Sequence, residues 1–345
     1  MLIGHQRIWD FLTKSVQQNR LAHAYLFAGP AQVGKLALAR EWAKWQLCEK
    51  IHPSLHPPLD KARAKLSFGR EGVGFPCGQC RQCVAIERGQ NPDLIVLSPR
   101  QEEKDGVVKT LEISIKEARE LQRQLSLFPY SAVRKIAIIE EAAAMSNEAA
   151  SALLKTLEEP SAHSLIILIS GNLQAILPTI ISRCQMIKFS LVPEPEIIAG
   201  LKNTAVRENL LKEAVNLAAG RPGLAIKLLA EPDLMAEQKK TAADFTKLLQ
   251  SSLVARWEMA KVLAQDSAKA QEILSGWLLW LRDRLLEQSG RGDLVISELP
   301  NEKSLNKYSV GSLLNTCREI QKTQAILSNP SFNARLALEV LMTKI

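Results

Sequence analysis

The first half of the chain alternates short apolar runs with longer amphipathic stretches. The apolar runs are nearly continuous and rich in β-branched and aliphatic residues, as expected for strands buried on both faces of a parallel sheet. They lie at 24–28, 93–97, 135–139, 165–169 and 186–189. Helical periodicity separates several of them, at 34–48, 115–125 and 149–158. This order of strand, crossover helix and strand predicts an α/β domain over residues 1–190.

The second half loses the strand pattern after residue 190. Pro193 and Pro195 mark a junction. Residues 191–240 then carry short helical patterns interrupted at 220–223, and residues 241–345 are helical again. Large apolar residues of this last part recur at the spacing of a packed helix face: Trp257, Trp277, Trp280, Leu281 and Leu285. We therefore predict an α/β domain, a small helical domain and a larger helical domain.

Composition narrows the class of protein. The 345 residues are 46% hydrophobic and 23% charged, typical of a globular chain with two or three domains. The N-terminus lacks the apolar run of a secretion signal, and no segment reaches the length of a membrane span, so we expect a cytoplasmic protein without a membrane partner. The net charge of +8 is compatible with contact to nucleic acid, but it is spread along the chain.

A phosphate-binding pattern stands between the first apolar strand and the helix that follows it. In the stretch from Gly29 to Gly34 and Lys35, glycines let backbone N–H groups close around phosphates, and the lysine can reach the terminal phosphates. Position 36 normally supplies a Ser or Thr hydroxyl to Mg²⁺, but here it is Leu36. ATP or ADP could still bind through the backbone and Lys35, whereas efficient Mg²⁺-dependent hydrolysis is not expected.

Two carboxylates follow the strand at 135–139. In this layout the first acid holds the magnesium shell and the second polarises the attacking water, which assigns these roles to Glu140 and Glu141. Glu140 stands where Asp is usual, so its carboxylate reaches one methylene further. Arg183, within Ser182-Arg183-Cys184, lies just before the last strand, and an isolated arginine there is more often a solvated surface charge.

Three cysteines fall within seven residues, at Cys77, Cys80 and Cys83. Such spacing favours metal ligation in a reducing compartment over disulfide pairing. Tetrahedral Zn²⁺ needs four ligands, and Cys48 is the expected fourth, with His52 and His56 as alternatives. We predict a structural zinc site inside an insertion at about 48–92.

Several stretches together resemble one family, the AAA+ clamp-loader subunits of the bacterial replicative DNA polymerase. They lie at 21–29, in the cysteine-bearing insertion, and at 145–160, 176–185 and 333–341, so the resemblance covers essentially the whole chain. Within the family the chain is most similar to the delta-prime subunits. It differs from the ATP-hydrolysing gamma and tau motor subunits at Leu36, Glu140 and Gly223, the last standing where those subunits carry a sensor-2 arginine.

The resemblance implies a mechanism for the chain. Clamp loaders of this family are heteropentameric rings, so 191–240 would be a helical lid and 241–345 the collar that holds the ring. Arg183 would act in trans as an arginine finger at the ATP site of a neighbouring motor subunit, while the chain's own ATPase is weak or absent. Ser170 and Asn172 would occupy the sensor-1 region. The implied partners are gamma/tau-like and delta-like subunits, the sliding clamp and, through the complex, primed DNA.

Two further hypotheses stay open at this point. The chain could be a motor-class ATPase of the same complex that tolerates Leu36, or a zinc-dependent nucleic-acid-binding module with a vestigial P-loop. Turnover by the isolated chain would distinguish the first, and loss of DNA affinity after cysteine replacement would distinguish the second.

Overall fold

The computed structural model describes residues 2–51, 74–104, 107–130, 132, 134–202, 206–291, 295, 308–327 and 332–345. The chain divides into two compact units. The first unit contains Met1–Pro99 and Ile113–Ser190, and the second contains Arg100–Glu112 and Leu191–Ile345. The division of the second half into 191–240 and 241–345 stays a prediction, and the insertion predicted at about 48–92 lies partly outside the described residues.

The first unit is built on a parallel five-stranded sheet in the order β2-β5-β6-β1-β7. Its strands are β1 (Ala24–Ala28), β2 (Leu94–Leu97), β5 (Lys135–Ile139), β6 (Ser164–Ser170) and β7 (Gln185–Lys188). Each lies within a residue of a predicted apolar run, because strands covered on both faces carry the continuous apolar signal that is hardest to mistake. The predicted α/β class with a parallel sheet is confirmed.

Alternate side chains of the central strand β1 enter two separate cores. Tyr25 and Phe27 pack with Trp42 on one face of the sheet, while Leu26 packs with Leu153 on the other. Since side chains of a strand alternate between faces, both faces of this sheet must be covered by helices. The helices of the unit are α1 (Gln6–Gln17), α2 (Lys35–Leu47), α3 (Arg81–Glu87), α4 (Ile115–Ser126), α5 (Asn147–Glu158) and the short α6 (Pro178–Ile181).

Local sequence fixes where α4 and α5 begin. Ser114 accepts a hydrogen bond from the backbone N–H of Glu117, whose carboxylate in turn accepts from the Ser114 N–H, which makes a complete capping box. Ser146 caps α5 by accepting from Ala149. These caps satisfy donors that the first helical turn leaves unpaired.

A β-hairpin that the sequence pattern did not indicate belongs to the second unit. Its antiparallel strands are β3 (Gln101–Lys104) and β4 (Val107–Thr110), and β4 lies beside a long helix of that unit, α12 (Ser267–Gln288). The first strand is highly charged and therefore lacks the alternating apolar pattern of a half-buried strand. The sequence Asp105-Gly106 is the one local signal that favours a hairpin turn here.

The rest of the second unit is helical in its described residues. Its other helices are α7 (Glu194–Leu201), α8 (Glu208–Ala218), α9 (Pro222–Ala230), α10 (Pro232–Leu249), α11 (Leu253–Leu263), α13 (Val310–Leu327) and α14 (Ala334–Lys344). Its main core contains Trp277, Trp280 and Leu281, with Leu285 packed at the margin. The core assignment of Trp257 is wrong: this residue is 42% exposed, whereas Ala260 and Leu263 are the buried residues of α11. Among the described residues, none of the helices is both long and apolar enough to cross a bilayer.

Candidate functional site

The loop after β1 has the geometry of a P-loop. Gly29 has φ +153°, and a Cβ at this position would lie 2.4 Å from the carbonyl oxygen of Phe189. Gly34 has φ +106° and immediately precedes the first residue of α2. Both backbone conformations strongly favour glycine. At Gly29 the absence of a side chain also allows the ends of β1 and β7 to approach each other. The predicted strand, glycine loop and helix are therefore in place.

Lys35 is folded onto its own loop. Its side chain is buried, at 6% exposure, and its Nζ donates hydrogen bonds to the carbonyl oxygens of Gly29 (2.5 Å) and Pro30 (2.6 Å). Burial lowers the pKa of Lys35 to about 8, although the negative charge of Glu141 opposes this shift. The ammonium thus uses carbonyl groups of the loop as acceptors, where a P-loop lysine would otherwise meet phosphate oxygens.

The two carboxylates after β5 have different surroundings. Glu141 has φ +51° and accepts a long hydrogen bond, 3.4 Å, from the N–H of Gly171. Burial raises its pKa, and the nearby Lys35 and the Gly171 N–H partly offset that rise. Glu140 instead forms an ion pair with Arg40 of α2, at 3.0 Å. The carboxylate assigned to the magnesium shell is therefore paired with a cation of the chain itself.

Leu36 has an aliphatic side chain and offers the site no polar group. It packs at the margin of the core next to the P-loop. Ser170 and Asn172, the sensor-1 candidates, are bonded to each other: the Ser170 hydroxyl donates to the Asn172 carbonyl (2.9 Å) and accepts from the Asn172 N–H (3.0 Å). The amide oxygen of Asn172 accepts from the N–H of Gln174. Both residues lie at the end of β6, beside the P-loop strand β1.

The structure adds two residues at this loop that sequence reasoning missed. His5 lies with its Nε2 2.8 Å from the carbonyl oxygen of Val33, and its ring is 4.8 Å from the ring of Phe189. Arg40 is the second, through its pair with Glu140. Neither has a local sequence signal, since the Arg40 pair joins positions one hundred residues apart.

Arg183 lies apart from the buried loop, just after α6, with 35% of its side chain exposed. Its Nη2 forms an ion pair with Glu158 Oε1 at 2.5 Å. Its Nη1 donates to the carbonyl oxygen of Thr179 at 3.0 Å. The guanidinium is thus oriented by two elements of the first unit while it remains accessible.

In the second unit, Gly223 lies in the first turn of α9 and offers no side chain. The neighbouring Arg221 is the N-cap residue of α9, and its Nε donates to the carbonyl of Ala218 at 3.0 Å. Burial lowers the pKa of this guanidinium. Arg221 therefore already has an acceptor within the second unit.

The four candidate zinc ligands come together. Cys48 follows α2 directly, Cys80 caps α3, and Cys83 lies in its first turn. The Cys48–Cys80 and Cys77–Cys83 sulfur pairs are 4.0 Å apart, and all four sulfurs lie within 4.8 Å of one another. Sulfurs bound tetrahedrally to Zn²⁺ at about 2.3 Å would be about 3.8 Å apart, so the cluster has a suitable size. His52 and His56 lie outside the described residues.

Within the cluster, the pKa of one thiol is lowered and the pKa values of two others are raised. Burial opposes ionisation of Cys77, but N–H groups of Gln79 and Cys80 outweigh it and lower its pKa to about 7. Burial raises the pKa values of Cys48 and Cys83. A cluster of this kind could bind zinc, because the cation stabilises thiolates that burial alone destabilises.

Comparisons with known proteins were consistent with this geometry. A family model described as DNA polymerase III, delta subunit, matches residues 4–193. The chain is 31% identical to the DNA polymerase III subunit delta' of Pseudomonas aeruginosa, across 98% of this chain and 95% of that protein. It is 34% identical to the subunit delta' of Bacillus subtilis, across 61% of this chain and 52% of that protein. Among solved structures it resembles a DNA polymerase III gamma-subunit-related protein of Thermotoga maritima, with 16% identity, a TM-score of 0.44 and coverage of 96% and 97%.

Proposed function

We infer the function of this chain from its family, because the chain belongs to the delta-prime subunits of DNA polymerase III, clamp-loader proteins of the AAA+ class. On that premise we propose that it works in a ring of clamp-loader subunits, with gamma/tau-like and delta-like partners, which places a sliding clamp on primed DNA. The proposed compartment is the cytoplasm, and the proposed complex is a heteropentamer.

We propose that its own P-loop does little or no ATP hydrolysis. Three contacts support this: Lys35 is bonded to the carbonyls of its own loop, Glu140 is paired with Arg40, and Leu36 packs at the margin of the core. Hydrolysis needs a hydroxyl and a carboxylate on Mg²⁺, and a lysine on the phosphates. ATP or ADP would have to displace the Lys35 contacts in order to bind, and it would find no magnesium ligand at position 36.

Arg183 is the proposed catalytic contribution of the chain. A finger arginine stabilises charge on the transferred phosphoryl group of a neighbouring subunit, so it must lie at the surface and be held in one orientation. The partial exposure of Arg183 and its two anchors meet both requirements. The site that Arg183 completes belongs to the neighbour, and the roles assigned to Glu140 and Glu141 are correspondingly vestigial.

The cysteine cluster is proposed to hold a structural zinc ion with Cys48, Cys77, Cys80 and Cys83 as ligands. Four thiols fill the tetrahedral shell and leave no open position for water or substrate, which is the pattern of a structural site. The ion would fasten α3 to the end of α2, next to the ion pair between Lys44 and Glu87.

The second unit is proposed to supply the collar contact that holds the ring. The adjacent helices α11 and α14 expose apolar side chains, among them Val254 at 66%, Trp257 at 42% and Leu336 at 58%. Exposed apolar groups on neighbouring helices favour burial against another subunit.

Val254→Asp should leave the fold intact and exclude the chain from the pentamer on a sizing column. Lys212→Asp, which adds the same side chain at an exposed position of α8, should still assemble.

The proposal rests on a contrast within one unit. Lys35 is bonded to its own P-loop, while Arg183 is accessible and held in one orientation. The test is DNA-stimulated ATPase and clamp loading by a complex reconstituted with its native partners. Arg183→Ala should fold and assemble normally but lower ATP turnover at the neighbouring site by roughly 10³-fold or more.

The matched control is Arg88→Ala, which removes an exposed arginine placed in none of the sites. It should leave complex activity unchanged. Normal ATPase activity of an assembled Arg183→Ala complex would refute the proposed role of Arg183 at the neighbouring site. Robust ATP turnover by the isolated chain, abolished by Lys35→Ala, would instead favour the motor-class alternative.

A further inference from the structure

We propose that Glu158 is a positioning residue for Arg183, so that the finger consists of a carboxylate and a guanidinium held together rather than of an arginine alone. This inference rests on the proposed trans role of Arg183. It goes beyond that role because it assigns a function to a second side chain, one that never touches the nucleotide.

The geometry is specific to one acid. Glu158 is the last residue of α5, and its Oε1 is 2.5 Å from Nη2 of Arg183. Glu159, the next residue, is also exposed and carries the same charge, and its backbone N–H donates to the carbonyl oxygen of Lys155. Among the described residues, the ion pair with Arg183 is formed by Glu158 and not by Glu159.

Two anchors define the plane of the guanidinium. Thr179, in α6, accepts from Nη1, while Glu158 accepts from Nη2. Because the guanidinium is flat and its five N–H donors point in fixed directions, two contacts on different nitrogens fix both its position and its orientation. Nη1 also donates to the Ser182 hydroxyl at 3.5 Å, and the 35% exposure of the side chain leaves it accessible to an acceptor supplied by another chain.

The anchors lie on packed elements. Helices α5 and α6 contact each other in the first unit, and α5 is buried through Leu153 and Leu157. An arginine side chain loses much rotamer freedom when it is immobilised, and here that loss occurs on folding, before a neighbouring ATP site is met. A preorganised charge accelerates a reaction more than one that must first be ordered.

An alternative is that Glu158 restrains Arg183 and must release it. The two ideas make opposite predictions for removal of the carboxylate. A restraint predicts faster turnover of the complex, since the arginine becomes free to reach the phosphate. Positioning predicts slower turnover, because the guanidinium then samples many rotamers. We adopt positioning because the contact leaves the side chain 35% exposed rather than hidden.

The experiment compares four variants in the reconstituted complex: Glu158→Ala, Glu158→Gln, Glu159→Ala and Arg183→Ala. Assembly on a sizing column and thermal unfolding establish that each chain is folded. DNA-stimulated ATPase is then measured over a range of ATP concentrations. We expect Glu158→Ala to lower kcat by roughly 10- to 100-fold with little change in KM. Glu158→Gln keeps an acceptor and should recover part of the loss, and Glu159→Ala should match the unsubstituted complex.

A double variant separates positioning from general damage. If Glu158 acts through Arg183, adding Glu158→Ala to Arg183→Ala should cause no further loss of kcat. Wild-type or raised kcat for Glu158→Ala, while Arg183→Ala is inactive, overturns the positioning role and leaves the finger role standing. An active Arg183→Ala complex refutes the finger itself. An additive double variant, or an equal loss in Glu159→Ala, also overturns the inference.

Discussion

The P-loop region and the Arg183 region lie in the same compact unit, yet they treat their charged groups in opposite ways. Around the P-loop, the chain satisfies its own charges: Lys35 binds carbonyls of its loop, and Glu140 is paired with Arg40. Around Arg183, the chain orients a charge and leaves it accessible. The difference supports the proposal that the P-loop unit serves as a scaffold while Arg183 acts at a neighbouring site.

The contrast also explains how a P-loop that lacks the magnesium-binding hydroxyl can still belong to a well-folded unit. A P-loop lysine without phosphate is a buried cation that needs acceptors, and the Gly29 and Pro30 carbonyls supply them. These carbonyls satisfy the Lys35 ammonium within its own loop, whereas the Arg183 guanidinium keeps part of its surface exposed.

The largest expected effect tests the contrast directly. Lys35→Ala in this chain should change DNA-stimulated ATPase of the complex by no more than about twofold, because its own site is proposed to do little or no hydrolysis, whereas Arg183→Ala should lower turnover at the neighbouring site by roughly 10³-fold. Steady-state ATPase of assembled complexes measures both. The comparison breaks if the Lys35 variant is the more damaging of the two.

Loss of the thiol cluster should have the next largest effect. Cys80→Ser removes a buried ligand and should destabilise the first unit by more than about 4 kcal/mol, since losing a structural metal is among the few changes that cost so much. Zinc content and thermal unfolding are the measurements. Cys184→Ser, a partly buried cysteine outside the cluster, should retain one zinc ion per chain; equal zinc contents for the two variants would contradict the assignment.

The P-loop backbone gives a prediction of intermediate size. Gly29→Ala should cost about 3 kcal/mol or more, because its Cβ would meet the Phe189 carbonyl oxygen at 2.4 Å in a backbone conformation that already favours glycine. Gly89→Ala is the matched control, since it has φ +66° but no atom within 4 Å of the added Cβ. It should cost only about 1 kcal/mol. Urea unfolding compares them, and equal losses would show that strain rather than close approach decides.

The smallest effect concerns pH. The pKa of Lys35 is lowered to about 8 in the folded chain, so between about pH 8 and 10.5 the unfolded chain binds more protons. The free energy of unfolding should therefore rise with pH across this window, by about 3 kcal/mol. Lys35→Met should be relatively more stable at pH 7 and should lose this rise. A variant whose pH profile matches that of the unsubstituted chain would show that Lys35 titrates normally.

Sequence pattern located most of the first unit. The strands at 24–28 and 135–139 were predicted to the residue, because continuous apolar runs between helices have few alternative structures. The glycine loop and the cysteines at 77, 80 and 83 were also found, since their spacing is itself the signal, whereas Cys48 was predicted with two histidines as alternatives. By contrast, the hairpin at 101–110 was missed because its first strand is charged, and Trp257 was misplaced because helical periodicity cannot say which apolar face meets the core.

The contacts that define the site could not be predicted in the same way. The pairs Arg40–Glu140 and Glu158–Arg183 join residues far apart in sequence, and the local sequence around each residue does not indicate its partner. The bonding of Lys35 to its own loop depends on backbone orientation, which residue types do not encode. The candidate residues of the site were therefore predictable from the sequence, whereas their hydrogen-bond and ion-pair partners required the structure.

Helix α2 begins at the P-loop and ends at the cysteine cluster. Its thirteen residues span about 20 Å, from the glycine turn at one end to Cys48, the first thiol of the cluster, at the other. The proposed zinc ion would hold the far end of this helix through Cys48. The helix would then have a structural role that does not depend on ATP hydrolysis.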